Sequence, residues 1–315
     1  MTMIRLLTVL SLRYVVACYE EKFEYSQQES PFQLTADSVR FLFFNSSGIG
    51  EPHAVTDPKE LTAEDYDNRK KTIILIHGFA DYYPGSFMIP LLLEAYSKIG
   101  NRNIIAVEWG KLAAAPFYIS ASKNTYPVGK ILAKFLRSMI KHKSHSMYLT
   151  EFIGFSLGAH VAGVASNFLR HKPRRIIGLD PAEPLFADSP LEYCLDKDDA
   201  PLVEVIHTSG GFLGFRRPIG HRDFYPNGGL HPQPGCPGDI AGICSHRRGY
   251  RYFADAVKNR GRGFKATKCD SMKDYIDGKC SGNPKLLMYN NNFNPALNGS
   301  FYLVTNPQKP FGRIQ

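Results

Sequence analysis

The most restrictive feature of this 315-residue chain is the order of three patterns between residues 147 and 169. A mostly apolar run, Met147 to Ile153, leads into Gly154-Phe155-Ser156-Leu157-Gly158, and an amphipathic helical pattern follows from Val161 to Leu169. A serine carried on a sharp strand-to-helix turn sits in strained backbone. Glycines two residues to either side leave room there, because side chains would meet the neighbouring strand and helix. The pentapeptide alone occurs by chance in many chains. Its place between a strand and a helix makes Ser156 a candidate nucleophile rather than a serine in an ordinary tight turn.

The runs Val39 to Phe44, Thr72 to His77, Ile104 to Trp109, Met147 to Ile153, Ile176 to Asp180 and Leu202 to His207 are short and mostly apolar or β-branched, so they are strand candidates. Helical patterns at Phe87 to Ile99, Val128 to His142 and Leu157 to Arg170 fall between several of them with crossover spacing. This alternation implies an α/β fold whose mainly parallel central sheet is covered by helices on both faces. Ile73-Ile74-Leu75-Ile76 suits a strand buried on both sides. From Thr208 to Gly249 the texture turns to Gly, Pro, Arg and aromatic residues, where functional loops belong. Residues 254–315 show no second periodicity long enough for an independent domain. The expectation is a single domain over residues 19–315, with 43% hydrophobic content to fill one sizeable core.

Residues 1–18 combine an early Arg5, an apolar stretch interrupted by Arg13, and small residues before a cut after Ala17 or Cys18, the pattern of a secretory signal. No other run approaches the roughly 20 apolar residues of a membrane span. The full chain carries a net charge of +9; removing residues 1–18 leaves 36 basic against 29 acidic side chains, or +7. Eleven Lys and Arg lie between Arg216 and Lys268, which favours an anionic lipid surface as strongly as it does a merely solvated face. They form no recognition helix, zinc spacing or RNA-binding motif, so no nucleic-acid partner is expected. Of the six cysteines, Cys236 with Cys244 and Cys269 with Cys280 would close short loops in a secreted chain. Cys194 is then left unpaired, or joined to Cys18 if the cut falls before it. Asn45-Ser46-Ser47 and Asn298-Gly299-Ser300 are glycosylation sequons.

A serine hydroxyl needs a histidine to take its proton, and that histidine needs a carboxylate to fix its tautomer. Asp180 ends the run Arg175 to Leu179, which puts it at the carboxyl edge of the sheet, where ligands of open α/β folds bind. Its competitors Asp188, Asp196, Asp198 and Asp199 occupy a polar loop. Among the later histidines, local pattern leaves His207, His221, His231 and His246 all open. His246 has the advantage of following the Cys236–Cys244 loop and preceding a helical pattern at Arg251 to Val257.

His77-Gly78-Phe79, Val107-Glu108-Trp109, Gly154 to His160, Gly178-Leu179-Asp180-Pro181-Ala182, Gly220 to Gly229, and Pro234-Gly235-Cys236 followed by Cys244-Ser245-His246 occur in this order. Together they closely resemble the pancreatic lipase superfamily, from about residue 35 to the end of the chain. The resemblance implies an α/β-hydrolase fold, the triad Ser156, Asp180 and His246, and structural roles for His160, His207 and His221. It also implies an oxyanion hole from the backbone N–H groups of Phe79 and Leu157. The implied chemistry is ester hydrolysis through an acyl-enzyme on Ser156, with no cofactor.

Departures from the family pattern carry further expectations. No C-terminal β-sandwich is expected, and with it no dependence on colipase. The segment between Cys236 and Cys244 corresponds to the family's lid and holds just Pro-Gly-Asp-Ile-Ala-Gly-Ile, too short for an amphipathic helical cover. The Ser209 to Ile219 loop also looks shortened. Both features resemble secreted phospholipases A1 and related insect lipase-like proteins, whose open cleft admits a polar head group. Arg216, Arg217, Arg247 or Arg248 would then meet the phosphate. In the family's calcium loop, Leu191 to Asp199, Asp196 and Asp199 match acidic positions while Leu191 and Cys194 replace other members, so no metal is expected. The reading is a secreted, extracellular phospholipase A1 or acylglycerol lipase working at a membrane or lipid-droplet surface. The alternative is a non-catalytic lipid-binding or yolk-type storage protein on the same fold, a class that typically loses triad residues.

Overall fold

A computed structural model describes residues 34–35, 37–44, 51–289 and 297–313. The signal-like segment, Cys18 and Asn45 lie outside the described residues. The strands are β1 (Arg40–Phe44), β2 (His53–Val55), β3 (Lys71–Ile76), β4 (Arg102–Glu108), β5 (Thr150–Phe155), β6 (Arg175–Leu179), β7 (Val203–Ile206), β8 (Arg222–Pro226), β9 (Lys265–Lys268), β10 (Lys285–Leu287) and β11 (Gly299–Leu303). The helices are α1 (Met88–Ser97), α2 (Tyr118–Lys143), α3 (Leu157–Asn167), α4 (Ile243–Lys258) and α5 (Met272–Ile276).

All the strands join one sheet in the order β10-β9-β11-β8-β7-β6-β5-β3-β4-β1-β2. From β4 through β3, β5, β6, β7 and β8 to β11 every pairing is parallel, and antiparallel strands form both edges. The central strands are apolar because both their faces are covered. On β5, Ile153 and Phe155 face a core shared with Leu92 and Tyr96 of α1 and Tyr252 and Phe253 of α4. The alternate residues face α3, which packs on β5 and against α2, whose Phe135 stacks on Phe41 of β1. Each fully buried Ile, Leu or Phe there contributes about 1.5–3 kcal/mol. The helix pair α2/α3 closes tightly at Gly129, where a Cβ would lie 2.6 Å from Val164 Cγ1. This is the α/β-hydrolase arrangement that the family resemblance implies.

Register decides where the chemistry sits. Ile76 pairs with Gly154, Phe155 with Leu179, and Leu179 with Ile206, so β3, β5, β6 and β7 end on one line. The residues that follow those ends, His77, Ser156, Asp180 and His207, therefore emerge along a single edge. At the opposite edge Glu204 sits between Arg175 and Arg222, with Arg222 Nη1 at 3.0 Å. Arg222 is thus a buried partner of the sheet rather than part of the basic surface.

Three boundaries differ from the sequence reading. Met147–Leu149 forms a 3-10 turn, so β5 begins at Thr150. Helix α2 begins at Tyr118, well before Val128, and carries Pro127 inside it. Proline removes an N–H and normally breaks a helical pattern, but the buried stripe Ala121, Thr125, Val128 and Leu132 holds this helix together across it. Helix α4 begins at Ile243 rather than Arg251, which places His246 in its first turn. Among the described residues, no helix is long and apolar enough to cross a membrane.

Candidate active site

Ser156 joins β5 to α3 with φ 54° and ψ −120°, a left-handed conformation that side-chain-bearing residues rarely adopt. Its N–H donates to the Leu179 carbonyl at 3.1 Å, which binds the turn to the end of β6. The flanking glycines are there for lack of space. A Cβ on Gly154 would lie 2.3 Å from Gly158 O, and one on Gly158 would lie 2.2 Å from Ile76 O. Strand, helix and neighbouring strand thus meet with only backbone between them.

Asp180 is the next residue after β6, also left-handed at φ 46°, and its N–H donates to Ile206 O at 2.7 Å. Its fully buried carboxylate uses both oxygens. Oδ1 accepts from the backbone N–H groups of Thr208 (2.6 Å) and Ser209 (3.0 Å), and Oδ2 accepts from His246 Nδ1 at 2.6 Å. The His246 ring lies 4.6 Å from the ring of Phe155, the residue before Ser156. The structure therefore brings Ser156, Asp180 and His246 to one edge. With Nδ1–H donated to the carboxylate, the lone pair of Nε2 is left for a proton.

The competing histidines are bonded elsewhere. His160 donates from Nε2 to Ala182 O at 2.7 Å and accepts the Leu195 N–H at Nδ1; burial pushes its pKa down to about 4 against the opposing pull of that carbonyl. His207 spans Phe215 O (2.6 Å) and Asp223 Oδ1 (2.9 Å), and His221 Nδ1 accepts from Val203 N–H. The ring of His231 stacks on Phe212.

Several contributors to the site escape sequence reasoning. Gly214 closes over the carboxylate, where a Cβ would stand 2.5 Å from Asp180 Oδ1. Gly249, one turn after His246, lets α4 approach Asp180 to 3.3 Å from its Cβ position. Asp239, inside the Cys236–Cys244 loop, accepts from the N–H groups of Cys244 (3.0 Å) and Ser245 (2.8 Å) and so caps the helix that carries His246. Burial works against its charge, but the bonds from Ser245 and Cys244 hold its pKa below the ordinary value. The capping pattern here is irregular, since Asp239 precedes the helix by four residues. The short loop thus supports the helix that carries the histidine.

For the oxyanion candidates, Leu157 opens α3, where first-turn N–H groups have no partner within the helix. Gly78 brings the His77-Gly78-Phe79 segment onto the serine, with a Cβ there only 2.8 Å from Ser156 Cβ. Disulfides join Cys236 to Cys244 and Cys269 to Cys280, as their spacing suggests. Cys194 is buried and unbridged, and burial raises its thiol pKa to about 11. Asn298 is exposed.

The loop Leu191 to Asp199 does not suit calcium, which takes six to eight oxygens. Leu191 and Cys194 offer no side-chain oxygen. Asp196 Oδ1 is taken by the Asp198 N–H and Asp199 Oδ2 by the Asp196 N–H, while Asp199 Oδ1 is buried without a hydrogen bond. Among the described residues no cluster of three His, Cys, Asp or Glu side chains is set to hold an ion. Burial instead raises the pKa of Asp199 to about 7. A carboxyl raised in the folded state stabilises most below its unfolded pKa, and this contribution is lost as pH climbs to about 7. Asp199→Asn is therefore expected to melt roughly 2–6 °C above wild type at pH 8 and to converge with it near pH 4. Melting curves showing equal differences at both pH values would refute this.

The family profile described as Lipase matches residues 15–311. Lipase member H of Rattus norvegicus is 39% identical over 216 residues, covering 67% of this chain and 47% of that protein, so this chain spans about half its length. Pancreatic triacylglycerol lipase of Sus scrofa is 34% identical over 307 residues, covering 87% of this chain and 67% of that one. A sugar hydrolase from Lactococcus lactis overlays with a TM-score of 0.35 at 17% identity, over 56% of this chain and 69% of the other. The chain belongs to the lipase family.

Proposed function

We propose that this protein is a secreted, serine-dependent carboxylic ester hydrolase acting on lipids, as a phospholipase A1 or an acylglycerol lipase. The observation that carries the reading is the 2.6 Å bond from His246 Nδ1 to a fully buried Asp180, with the imidazole lying against the turn that presents Ser156. In this reading His246 Nε2 takes the Ser156 proton as Oγ attacks the ester carbonyl. The oxyanion collects the N–H groups of Leu157 and Phe79, each such donor being worth a few kcal/mol at the barrier. His246 then protonates the departing alcohol, and water releases the acyl group from Ser156.

The choice of lipid turns on access and charge. A lid of seven residues between Cys236 and Cys244 leaves room for a head group, which favours the phospholipid. Of the arginines expected near the phosphate, Arg248 is a correction. It is buried, donates to Pro307 O at 3.0 Å and stacks over Phe311. Arg217 donates to Ala187 O and covers Phe215. Arg247 follows His246 directly and lies over the exposed ring of Phe87, so it is the arginine best placed for an anionic head group. Tyr82, Phe87, Phe117 and Ile240 are exposed in the segments that follow β3, β4 and β8, at the same edge of the parallel sheet as the site. A membrane or lipid-droplet surface is the partner this rim suits, with the basic balance favouring anionic lipid. Two disulfides support an oxidising, extracellular destination.

The test is fatty-acid release by the purified protein from phosphatidylcholine and from a triacylglycerol under matched conditions. Release from phosphatidylcholine with a 2-acyl lysolipid product is the expected result. Release from triacylglycerol alone would make this an acylglycerol lipase, and none from either would favour lipid binding or storage.

A further inference from the structure

We infer that His77 and Glu108 are positioning residues that aim the Phe79 N–H at the oxyanion, acting through the Gly78 carbonyl. The inference rests on the reading of Ser156 as nucleophile and Phe79 N–H as oxyanion donor.

In a trans peptide the carbonyl and the following N–H point in opposite directions. Whatever fixes Gly78 C=O therefore also fixes Phe79 N–H. His77 Nδ1 donates to Gly78 O at 3.0 Å, and the ring doing so is completely buried. The same glycine presses on Ser156, so a rotation of this one peptide would swing its N–H away from the reacting centre.

The imidazole is held in turn on its other side. Its ring lies parallel to Trp109 at 5.6 Å, and the indole Nε1 donates to His77 O at 3.0 Å. Nε2 faces the Trp109 N–H at 3.3 Å and Glu108 Oε2 at 3.6 Å. Glu108 is itself buried and accepts from Tyr83 N–H at 2.6 Å and Gly110 N–H at 2.9 Å. One carboxylate thus ties the loop leaving β3 to the loop leaving β4. Ala80, with φ 55°, is pinned to the same second loop by its N–H to Ala113 O at 2.8 Å. A strained turn persists only where its surroundings over-determine it, and this one is bonded at residues 77, 78, 80 and 83. The electrostatics agree with the geometry. Burial alone would push the His77 pKa down, yet the neighbouring Glu108 charge outweighs it and the net direction is up. Burial likewise disfavours the Glu108 carboxylate, and the neighbouring His77 together with the bonds from Tyr83 and Gly110 holds its pKa below the ordinary value. No atom of either side chain is needed to touch substrate.

Two substitutions at one position separate aiming from mere packing. In His77→Asn the amide nitrogen falls near the place of Nδ1 and keeps the donor to Gly78 O. In His77→Gln it falls near Nε2 and leaves that carbonyl unheld. With p-nitrophenyl butyrate below its solubility limit as the probe, His77→Asn is expected to keep kcat within about tenfold of wild type. His77→Gln should lose about 100-fold in kcat with KM within about twofold, and its inhibition by a butyl boronic acid should weaken in parallel. Glu108→Gln, isosteric and expected to lose about tenfold in kcat at constant KM, carries the test if a His77 variant fails to melt cooperatively. Equal losses in the Asn and Gln variants, a loss confined to KM, or an unchanged kcat in Glu108→Gln would each overturn the assignment. Those outcomes leave the hydrolase reading intact. That reading fails separately, and takes this one with it, only if the wild-type protein shows no Ser156-dependent turnover of the probe.

Discussion

Alanine at Ser156 is expected to lower ester turnover by roughly 10⁴–10⁶-fold while the protein still melts within about 2 °C of wild type. The large kinetic effect follows because nothing else at this edge replaces the hydroxyl. The turn is set by backbone, with Gly154 against Gly158 and Gly158 against Ile76, and none of those contacts involves the serine oxygen. The small thermal effect follows because alanine keeps the same Cβ and bears the same strain at φ 54°. What remains of the rate would come from the oxyanion donors and substrate binding alone. Fatty-acid release and covalent labelling by a fluorophosphonate probe should vanish together. Turnover that survives in a folded Ser156→Ala protein would remove the serine mechanism from consideration.

Asp180→Asn should cost about 10⁴-fold in kcat. Asparagine matches aspartate in shape but offers one oxygen where the site requires two. Thr208 and Ser209 N–H groups point at Oδ1, and His246 Nδ1–H points at Oδ2. If the amide oxygen stays with the two backbone donors, the NH₂ group faces His246 and turns Nδ1 into an acceptor. The proton then moves to Nε2, the nitrogen that must receive one from Ser156. If the amide flips instead, an NH₂ group meets two buried N–H groups with nothing to accept. That clash disfavours the flip, so the first arrangement prevails and disarms the histidine without emptying the site; the expected signature is a collapse of kcat with little change in melting temperature. Single-turnover measurements at neutral pH would register it, and a loss below tenfold would mean that Asp180 is not the orienting carboxylate.

The parts of this fold that can be read from sequence are those whose burial is complete. Ile73 to Ile76 is apolar without a break because β3 is covered on both faces, and Asp180 stands out because it ends a similar strand. The edge strands escape notice for the converse reason. Lys265-Ala266-Thr267-Lys268 and Lys285-Leu286-Leu287 are short and half-polar, and only their neighbours show that they pair. Helix α2 is hidden in its first part by Pro127. His246 is visible through family resemblance but not through local pattern, because it sits one turn into a helix whose start is fixed by Asp239 and a disulfide rather than by periodicity. Gly214, Thr208 and Ser209 contribute space and backbone N–H groups to a carboxylate some thirty residues away. No residue-type signal marks such a role, and only the folded chain reveals it.

Ala80, Ser156 and Asp180 share left-handed backbone at φ 55°, 54° and 46°. Non-glycine residues held this way each cost on the order of 1–3 kcal/mol, a part of which glycine would return after its own entropic loss. A selection for heat tolerance scored only on folded yield would therefore drift toward glycine at Ser156, where the gain would come from an inert molecule; at Asp180 the lost carboxylate would leave the buried Thr208 and Ser209 N–H groups unpaired and offset any relief of strain. Ala80 breaks the pattern, because its methyl group takes no part in the chemistry. There alone, durability and turnover need not be rivals, and an engineer seeking a hardier catalyst has one position of the three to try.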